Sequence, residues 1–203
     1  MMARAERDPI VMADTGPLIR LAAAGLLDGL RATNRRVVIV DRVEAEATED
    51  QSKPFAKEIA EWIARNGDSI ERPRTVVGAG IEKLESEPNT PEQQRLLKAA
   101  LRNSGEKAIR DFLEEWAPAT QGALVVYEDE DVPRILQSTR VPIQLMTTRR
   151  FARQLVDWGI NVDAVAAIEE VAKRFTTKPS MSGEIDPGES PDFRQFPQQD
   201  DSP

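Results

Sequence analysis

The 203-residue sequence contains no cysteine and no histidine. The absence of cysteine excludes disulfides, thiolate nucleophiles and cysteine-based zinc sites. The absence of histidine excludes serine–histidine triads, imidazole bases and histidine-ligated zinc or iron. Any catalysis must therefore use carboxylates, Lys, Arg, Tyr, Ser or Thr, a cofactor or a metal ion. A metal held by oxygen ligands alone is typically Mg²⁺ or Mn²⁺.

The chain also lacks an apolar run of 18 residues and an N-terminal signal-peptide pattern. These absences predict a soluble, cytoplasmic protein with no membrane partner. Hydrophobic residues make up 40% of the chain and charged residues 31%, which is the composition of a globular domain large enough to bury a core.

Acidic residues outnumber basic ones, so that the formal net charge is −8. Residues 179–203 carry six acidic side chains and one basic side chain, and thus supply −5 of this charge. After Phe175 the sequence is rich in Pro, Ser, Gly, Gln and Asp, which predicts a disordered acidic tail over 176–203. The rest of the chain can still present a basic face.

Short apolar strands alternate with amphipathic helices after a flexible N-terminus at 1–9. This alternation predicts an α/β fold with a mainly parallel, doubly wound sheet flanked by helices. Residues 78–90 show no clear pattern. The predicted strands are 10–13, 37–40, 68–70, 75–77, 123–127 and 141–146, and the predicted helices are 17–30, 42–48, 54–66, 92–102, 104–116, 132–138, 148–158 and 162–175.

Acidic residues follow three of the predicted strands. Asp14 follows the first strand, residues 41–46 follow the second, and Glu128 and Asp129 follow the strand at 123–127. Because the carboxyl ends of parallel strands form the ligand-binding edge of such a sheet, we expect these acids to converge there. Glu106, in the first turn of its helix, can join them. A bound divalent cation is the usual compensation for such mutual repulsion.

Each acid also has a purely structural interpretation. Asp14 could only cap the helix that follows it. Glu106 and Arg110 are four residues apart and could form a surface ion pair. The glutamates of the helix at 42–48 could lie on a solvated face, and residues 128–131 could be a polar turn with a helix cap.

Five stretches within residues 10–160 occur in an order that carries a family resemblance. They are 13–19 (ADTGPLI), 38–46 (VIVDRVEAE), 104–109 (SGEKAI), 125–129 (VVYED) and 145–148 (LMTT). This series resembles the motifs of PIN-domain nucleases, and is most similar to the VapC-like toxins of prokaryotic toxin–antitoxin pairs.

The resemblance implies a PIN-like domain over 10–175 that acts as a metal-dependent endoribonuclease. It implies that four acids hold Mg²⁺ or Mn²⁺: Asp14, Glu46, Glu106 and Asp129, with Glu128 as the alternative to the last. It further implies an RNA substrate, an antitoxin as protein partner and a homodimer. The segment 78–102 is longer and more charged than in compact family members, which predicts an insertion.

Hydroxyl and basic side chains near these acids complete the predicted site. Thr15, Ser104 and Thr147 are candidates to orient carboxylates or contact a phosphate. Four arginines are candidates for contacts with the RNA backbone, namely Arg20, Arg42, Arg149 and Arg150.

Two other functions remain open on the sequence. A catalytically silent PIN-like interaction module would keep the fold with its acids only partly assembled. A flavodoxin-like or nucleotide-binding module is the weaker alternative, because the glycines at 78 and 80 do not complete a phosphate-binding loop.

Overall fold

The computed structural model describes residues 9–87, 90–116, 122–137 and 139–175. Within these ranges the chain forms a single five-stranded sheet flanked by helices, and every strand pairing is parallel. The predicted α/β class is thus confirmed. Apart from Pro9, the predicted flexible N-terminus lies outside the described residues, as does the predicted tail at 176–203.

The strands are β1 (Ile10–Ala13), β2 (Arg36–Val38), β3 (Ile70–Glu71), β4 (Ala123–Tyr127) and β5 (Ile143–Thr147). Their order across the sheet is β3-β2-β1-β4-β5. The helices are α1 (Thr15–Ala23), α2 (Asp28–Arg31), α3 (Asp41–Thr48), α4 (Ala56–Arg65), α5 (Val76–Ser86), α6 (Pro91–Leu101), α7 (Ser104–Trp116), α8 (Asp131–Leu136), α9 (Thr148–Asp157) and α10 (Ala164–Phe175).

The central strands β1 and β4 are buried on both faces. All four residues of β1 are at most 3% exposed, and the first four of β4 are fully buried. Such continuous apolar strands require helices on both sides of a parallel sheet. β1 and β4 pair in register from Ile10 with Ala123 to Ala13 with Val126. The residues that follow these two strands therefore emerge together at one edge of the sheet.

The single helix predicted over 17–30 is wrong, because α1 stops at Ala23 and the short helix α2 follows. Gly25 adopts a left-handed conformation with φ 67°. Its amide bonds to the Ala22 carbonyl, and the Leu26 amide bonds to the Leu21 carbonyl. This Schellman arrangement ends a helix, and glycine adopts the required positive φ without strain.

The strand predicted over 75–77 is also wrong, since Val76 and Val77 form the first turn of α5. Thr75 caps this helix by accepting a hydrogen bond from the Gly78 amide at 3.0 Å. The Asp111 carboxylate accepts another from the Val76 amide at 2.7 Å. Amide groups left open in a first helical turn need such acceptors. Since Asp111 is distant in sequence, the local β-branched pattern suggested a strand.

The segment 78–102, predicted as an insertion, contains most of α5 and all of α6. α5 packs on α7 and α3, and α6 packs on α5. Residues 78–86 are helical although the sequence showed no clear pattern there. Across the described ranges, no helix has both the length and the apolar character needed to cross a membrane.

Candidate active site

Asp14 lies directly after β1 and precedes α1, at the edge where the strands end. Its side chain is buried, with 6% exposure. Although Asp14 is in the N-cap position, its side chain makes no cap hydrogen bond. By contrast, the side chains of Thr75, Thr90 and Thr147 each accept a bond from the third amide of their helices. Capping therefore does not account for a buried carboxylate at this position.

Glu46 is held between the first turns of two other helices. The Thr15 hydroxyl of α1 donates to Glu46 Oε2 at 3.1 Å, and the Ser104 hydroxyl of α7 donates to Glu46 Oε1 at 2.5 Å. Two of the three hydroxyls predicted to orient carboxylates or contact a phosphate, those of Thr15 and Ser104, thus bind the same carboxylate. Glu46 is therefore fixed by side chains 31 and 58 residues away rather than solvated on a helix face.

Gly105 brings the α7 backbone close to two of the acids. A Cβ atom at this position would lie 3.1 Å from Asp14 Oδ1 and 3.3 Å from Glu46 Oε2. It would also lie 3.3 Å from a methyl group of Val43. Asp14 and Glu46 thus face the same point of α7, and the absent side chain leaves room for both carboxylates.

Glu106, on the next residue of α7, is buried to 8% exposure. Burial raises its pKa, and the negative charges of Glu46, Asp129 and Asp131 act in the same direction, while a backbone hydrogen bond at Glu106 opposes them. The surface pair with Arg110 is not what the structure contains, since Arg110 pairs with Glu114 at 3.7 Å.

Glu128 and Asp129, the alternatives for the fourth acid, occupy different surroundings. Glu128 forms an ion pair with Arg20 at 3.3 Å. Asp129 lies near enough to Asp14 and Glu106 that its charge raises the pKa of both. Its carboxylate also accepts a hydrogen bond from the Asp131 amide at 2.7 Å. These contacts favour Asp129 as the acid that faces the cluster.

The pKa of Asp14 is raised from 3.8 to about 7. Desolvation by burial is the largest cause, followed by the negative charge of Glu106, with smaller contributions from Glu46 and Asp129. A backbone hydrogen bond at Thr15 acts in the opposite direction. Since burial and like charges both disfavour the carboxylate form, Asp14 at neutral pH is a site that a nearby cation would stabilise.

We expect the Asp14 contribution to the free energy of unfolding to decline as pH rises from 3.8 to about 7. In this range folded Asp14 keeps a proton that the unfolded chain has released, so rising pH disfavours the folded state. Urea unfolding of the full chain and of Asp14→Asn at pH 5 and pH 8 measures this term as the difference between their pH slopes. Equal slopes for the two proteins would contradict a raised pKa.

The acidic side chains of this cluster have the chemistry that a hard divalent cation requires, but they are not arranged around a common point. Carboxylate oxygens are the donors that Mg²⁺ and Mn²⁺ prefer. In the described part of the chain, however, no group of three acidic side chains is arranged to hold a metal ion. Both oxygens of Glu46 already accept hydrogen bonds from hydroxyl groups. Occupation by a cation therefore requires the other acids to draw together.

An open cavity of about 460 Å³ lies beside the acids, lined by Thr15, Ile19, Glu46, Lys53, Leu101, Asn103 and Glu106. Two polar residues of this lining, Lys53 and Asn103, were not predicted as site residues. Lys53 donates to the Glu46 carbonyl at 3.0 Å, and Asn103, at φ 53°, donates to Asp131 at 3.3 Å. Both lie in polar loops without a motif. The asparagine just before Ser104 could have indicated a residue with positive φ at the start of α7, since asparagine tolerates this conformation.

The predicted RNA-contacting residues occupy two settings. Arg42 is only 8% exposed, so its side chain offers little surface to an RNA backbone. Thr147 caps α9 by accepting a bond from the Arg150 amide at 3.3 Å. Arg149 pairs with Glu169 at 2.9 Å. Thr147 and Arg149 line a second cavity of about 350 Å³ together with Arg20, Glu128, Ile168, Glu169, Ala172 and Lys173. We call this cavity the basic groove.

The structure thus brings Asp14, Glu46, Glu106 and Asp129 into electrostatic contact from four separate elements. No protein-family model matches this chain, and no curated protein matches it. The chemistry of these side chains is therefore the basis for assigning a function.

Proposed function

We propose that this protein is a metal-dependent endoribonuclease of PIN type, which hydrolyses phosphodiester bonds in RNA with Mg²⁺ or Mn²⁺. One observation carries the proposal. Asp14 and Glu106 are buried acids whose pKa values are raised, in Asp14 partly by the negative charge of Glu106, and neither forms an ion pair with a described basic residue. Buried charges are normally paired or bound to metal, so a cation bound beside these two acids would stabilise their ionised forms. The order of motifs that resembles PIN nucleases supports the same conclusion.

In this proposal Asp14, Glu106 and Asp129 hold the cation, and Glu46 does so more weakly because both its oxygens accept hydrogen bonds. A cation held by these residues would act as a Lewis acid, which would stabilise charge on the scissile phosphate and lower the pKa of a bound water. Thr15 and Ser104 keep the Glu46 carboxylate oriented towards the cluster. Such supporting hydrogen bonds fix the geometry of the ligand. Their removal typically lowers metal affinity or activity by roughly 10 to 100-fold.

The remaining residues of the site position the substrate. Glu46 and Glu106 both line the 460 Å³ cavity, and since both oxygens of Glu46 accept hydrogen bonds from hydroxyl groups, Glu106 is assigned the role of orienting a water molecule there. Lys53 lies on the same wall and offers a positive charge to a phosphate. Arg20, Arg149 and Arg150 offer further backbone contacts. A role as the toxin of a toxin–antitoxin pair, with an antitoxin partner and a homodimeric state, belongs to this proposal on the resemblance alone.

The test is metal-dependent cleavage by the purified full chain. We expect a labelled single-stranded RNA to be cut in MgCl₂ or MnCl₂ and to stay intact in EDTA. At about 100 times its dissociation constant, a cation that binds only the folded state adds about 2.7 kcal/mol of stability. For a chain of this size the melting temperature should then rise by roughly 5 to 10 °C.

A catalytically silent PIN-like interaction module is the second candidate. It is favoured by a specific observation, namely that each oxygen of Glu46 accepts a hydrogen bond from a hydroxyl group and that no three of the described acids are arranged to hold a metal ion. Under this alternative, neither MgCl₂ nor MnCl₂ changes the melting temperature, and RNA stays intact at every concentration. Cleavage that persists in EDTA would contradict both proposals.

A further inference from the structure

The basic groove lies between α1, α9 and α10, next to the carboxyl ends of β4 and β5. It presents three basic side chains from three helices, Arg20, Arg149 and Lys173. Two carboxylates, Glu128 and Glu169, line it as well. The lining of the groove therefore carries one more basic than acidic side chain, in a protein whose net charge is −8. This local balance favours an anionic occupant over a cationic one.

The ion pairs inside the groove are open to exchange. Arg20 and Glu128 have side-chain exposures of 39% and 24%, and Arg149 and Glu169 have 51% and 46%. Lys173 is 76% exposed and pairs with Glu170 at 3.8 Å. Exposed pairs of this type contribute little to stability. Another carboxylate or a phosphate can therefore bind these cations in place of their present partners.

We propose that the groove binds an acidic segment of this same chain, residues 184–201. This segment carries all six acids of residues 179–203, namely Glu184, Asp186, Glu189, Asp192, Asp200 and Asp201. The groove lies where the segment is attached, because Lys173 lines it two residues before α10 ends at Phe175. Opposite charge and attachment at the rim of the groove thus identify the occupant.

The length of the connection is sufficient. Glu184 is the eleventh residue after Lys173, and eleven residues span at most about 35 to 40 Å. A short tether of this kind gives an effective concentration in the millimolar range. At such a concentration, an electrostatic contact can form within one chain even if it is too weak to hold two separate molecules together.

Docking of this segment does not depend on nuclease activity, but its consequence does. Arg20 and Arg149 are also the proposed contacts for the RNA backbone. If the proposed function holds, the acidic segment competes with RNA for the groove, and cleavage is restrained until RNA displaces it. Salt should weaken the binding of the acidic segment to the groove, because dissolved ions screen the attraction between exposed charges.

The cysteine-free sequence permits a direct test on the full chain. Ser190→Cys places one nitroxide label among the acids of the segment, and its paramagnetic effect on backbone amides reports proximity. At an ionic strength of about 0.1 M we expect peak intensities at Arg149 and Lys173 to fall about twofold or more. At about 1 M salt the effect should disappear.

Two substitutions in the labelled chain separate docking from chance encounters. Lys173→Glu should abolish the effect at Arg149, whereas the matched reversal Lys98→Glu on α6 should leave it unchanged. An effect spread evenly over the surface, or one that Lys173→Glu leaves intact, overturns the proposal.

Cleavage assays distinguish this proposal from the nuclease proposal. Replacing the six acids by their amides should increase the cleavage rate at about 0.1 M salt and have little effect at about 1 M. If neither the unsubstituted chain nor the six-amide variant cuts RNA while the label still reports docking, the nuclease proposal fails and the docking proposal stands. If RNA is cut but the label shows no preference for the groove, docking fails and the nuclease stands.

Discussion

Replacing Asp14 by asparagine is expected to abolish RNA cleavage and, at pH 8, to make the folded protein more stable. Loss of one group that stabilises the reacting charge costs about 10² to 10³-fold in rate. Stability changes in the opposite direction because the pKa of Asp14 is raised from 3.8 to about 7. Each pKa unit corresponds to about 1.4 kcal/mol, so the ionised form costs up to about 4 kcal/mol.

The net gain should be smaller, about 2 kcal/mol, since the asparagine amide must still find hydrogen-bond partners in a buried position. Cleavage rates in MnCl₂ and urea unfolding at pH 8, without metal, measure the two effects separately. A variant that loses activity by unfolding would lose stability as well, so the opposite signs identify a functional carboxylate.

Two matched variants complete this experiment. Glu106→Gln should lose cleavage as Asp14→Asn does, because both are buried acids of the cluster. Asp68→Asn, at an exposed acid in the turn at Gly67–Ser69, should change neither quantity. If Asp14→Asn cleaved RNA at the wild-type rate, Asp14 would not belong to the site. If the variant were less stable at pH 8, the ionised carboxylate of Asp14 would be stabilised rather than destabilised in the folded protein.

Replacing Gly78 by alanine is expected to lower the free energy of unfolding by about 3 kcal/mol, at the upper end of the cost of overpacking. The added Cβ would overlap with the Asp41 carboxylate. That carboxylate cannot move freely, because it accepts hydrogen bonds from the Thr75 amide at 2.9 Å, the Thr75 hydroxyl at 2.8 Å and the Arg42 amide at 2.8 Å. Urea unfolding measures the loss.

The control is Gly80→Ala in the same helix, where an added Cβ meets no atom within 4 Å. This change should raise stability by up to about 1 kcal/mol, since alanine favours a helix more than glycine does. The double variant Asp41→Ala with Gly78→Ala should lose less than the two single losses combined, because both act on one contact. Equal stability of the two glycine variants would contradict the close packing of Asp41 on α5.

Much of the fold followed from local patterns in the sequence. The strand at 123–127 has the predicted bounds, and the helix predicted to begin within 103–106 and to end at about 116 spans Ser104–Trp116, because continuous apolar runs and helical spacing involve only neighbouring residues. The predicted secondary structure was wrong where side chains distant in sequence determine the local backbone. Thr75 and Val76 begin a helix because Asp41 and Asp111 accept their amide protons from 34 and 35 residues away.

For the site, the sequence alone determined which chemistry is available and where acids follow strands. Without histidine or cysteine, a hydrolase of this composition depends on carboxylates, and parallel strands bring their carboxyl ends to one edge. The tertiary structure decided the rest. It pairs Glu128 with Arg20, turns Asp129 towards Asp14 and Glu106, and buries Arg42. Side-chain direction, burial and charge proximity depend on packing between elements far apart in the chain, which no local pattern encodes.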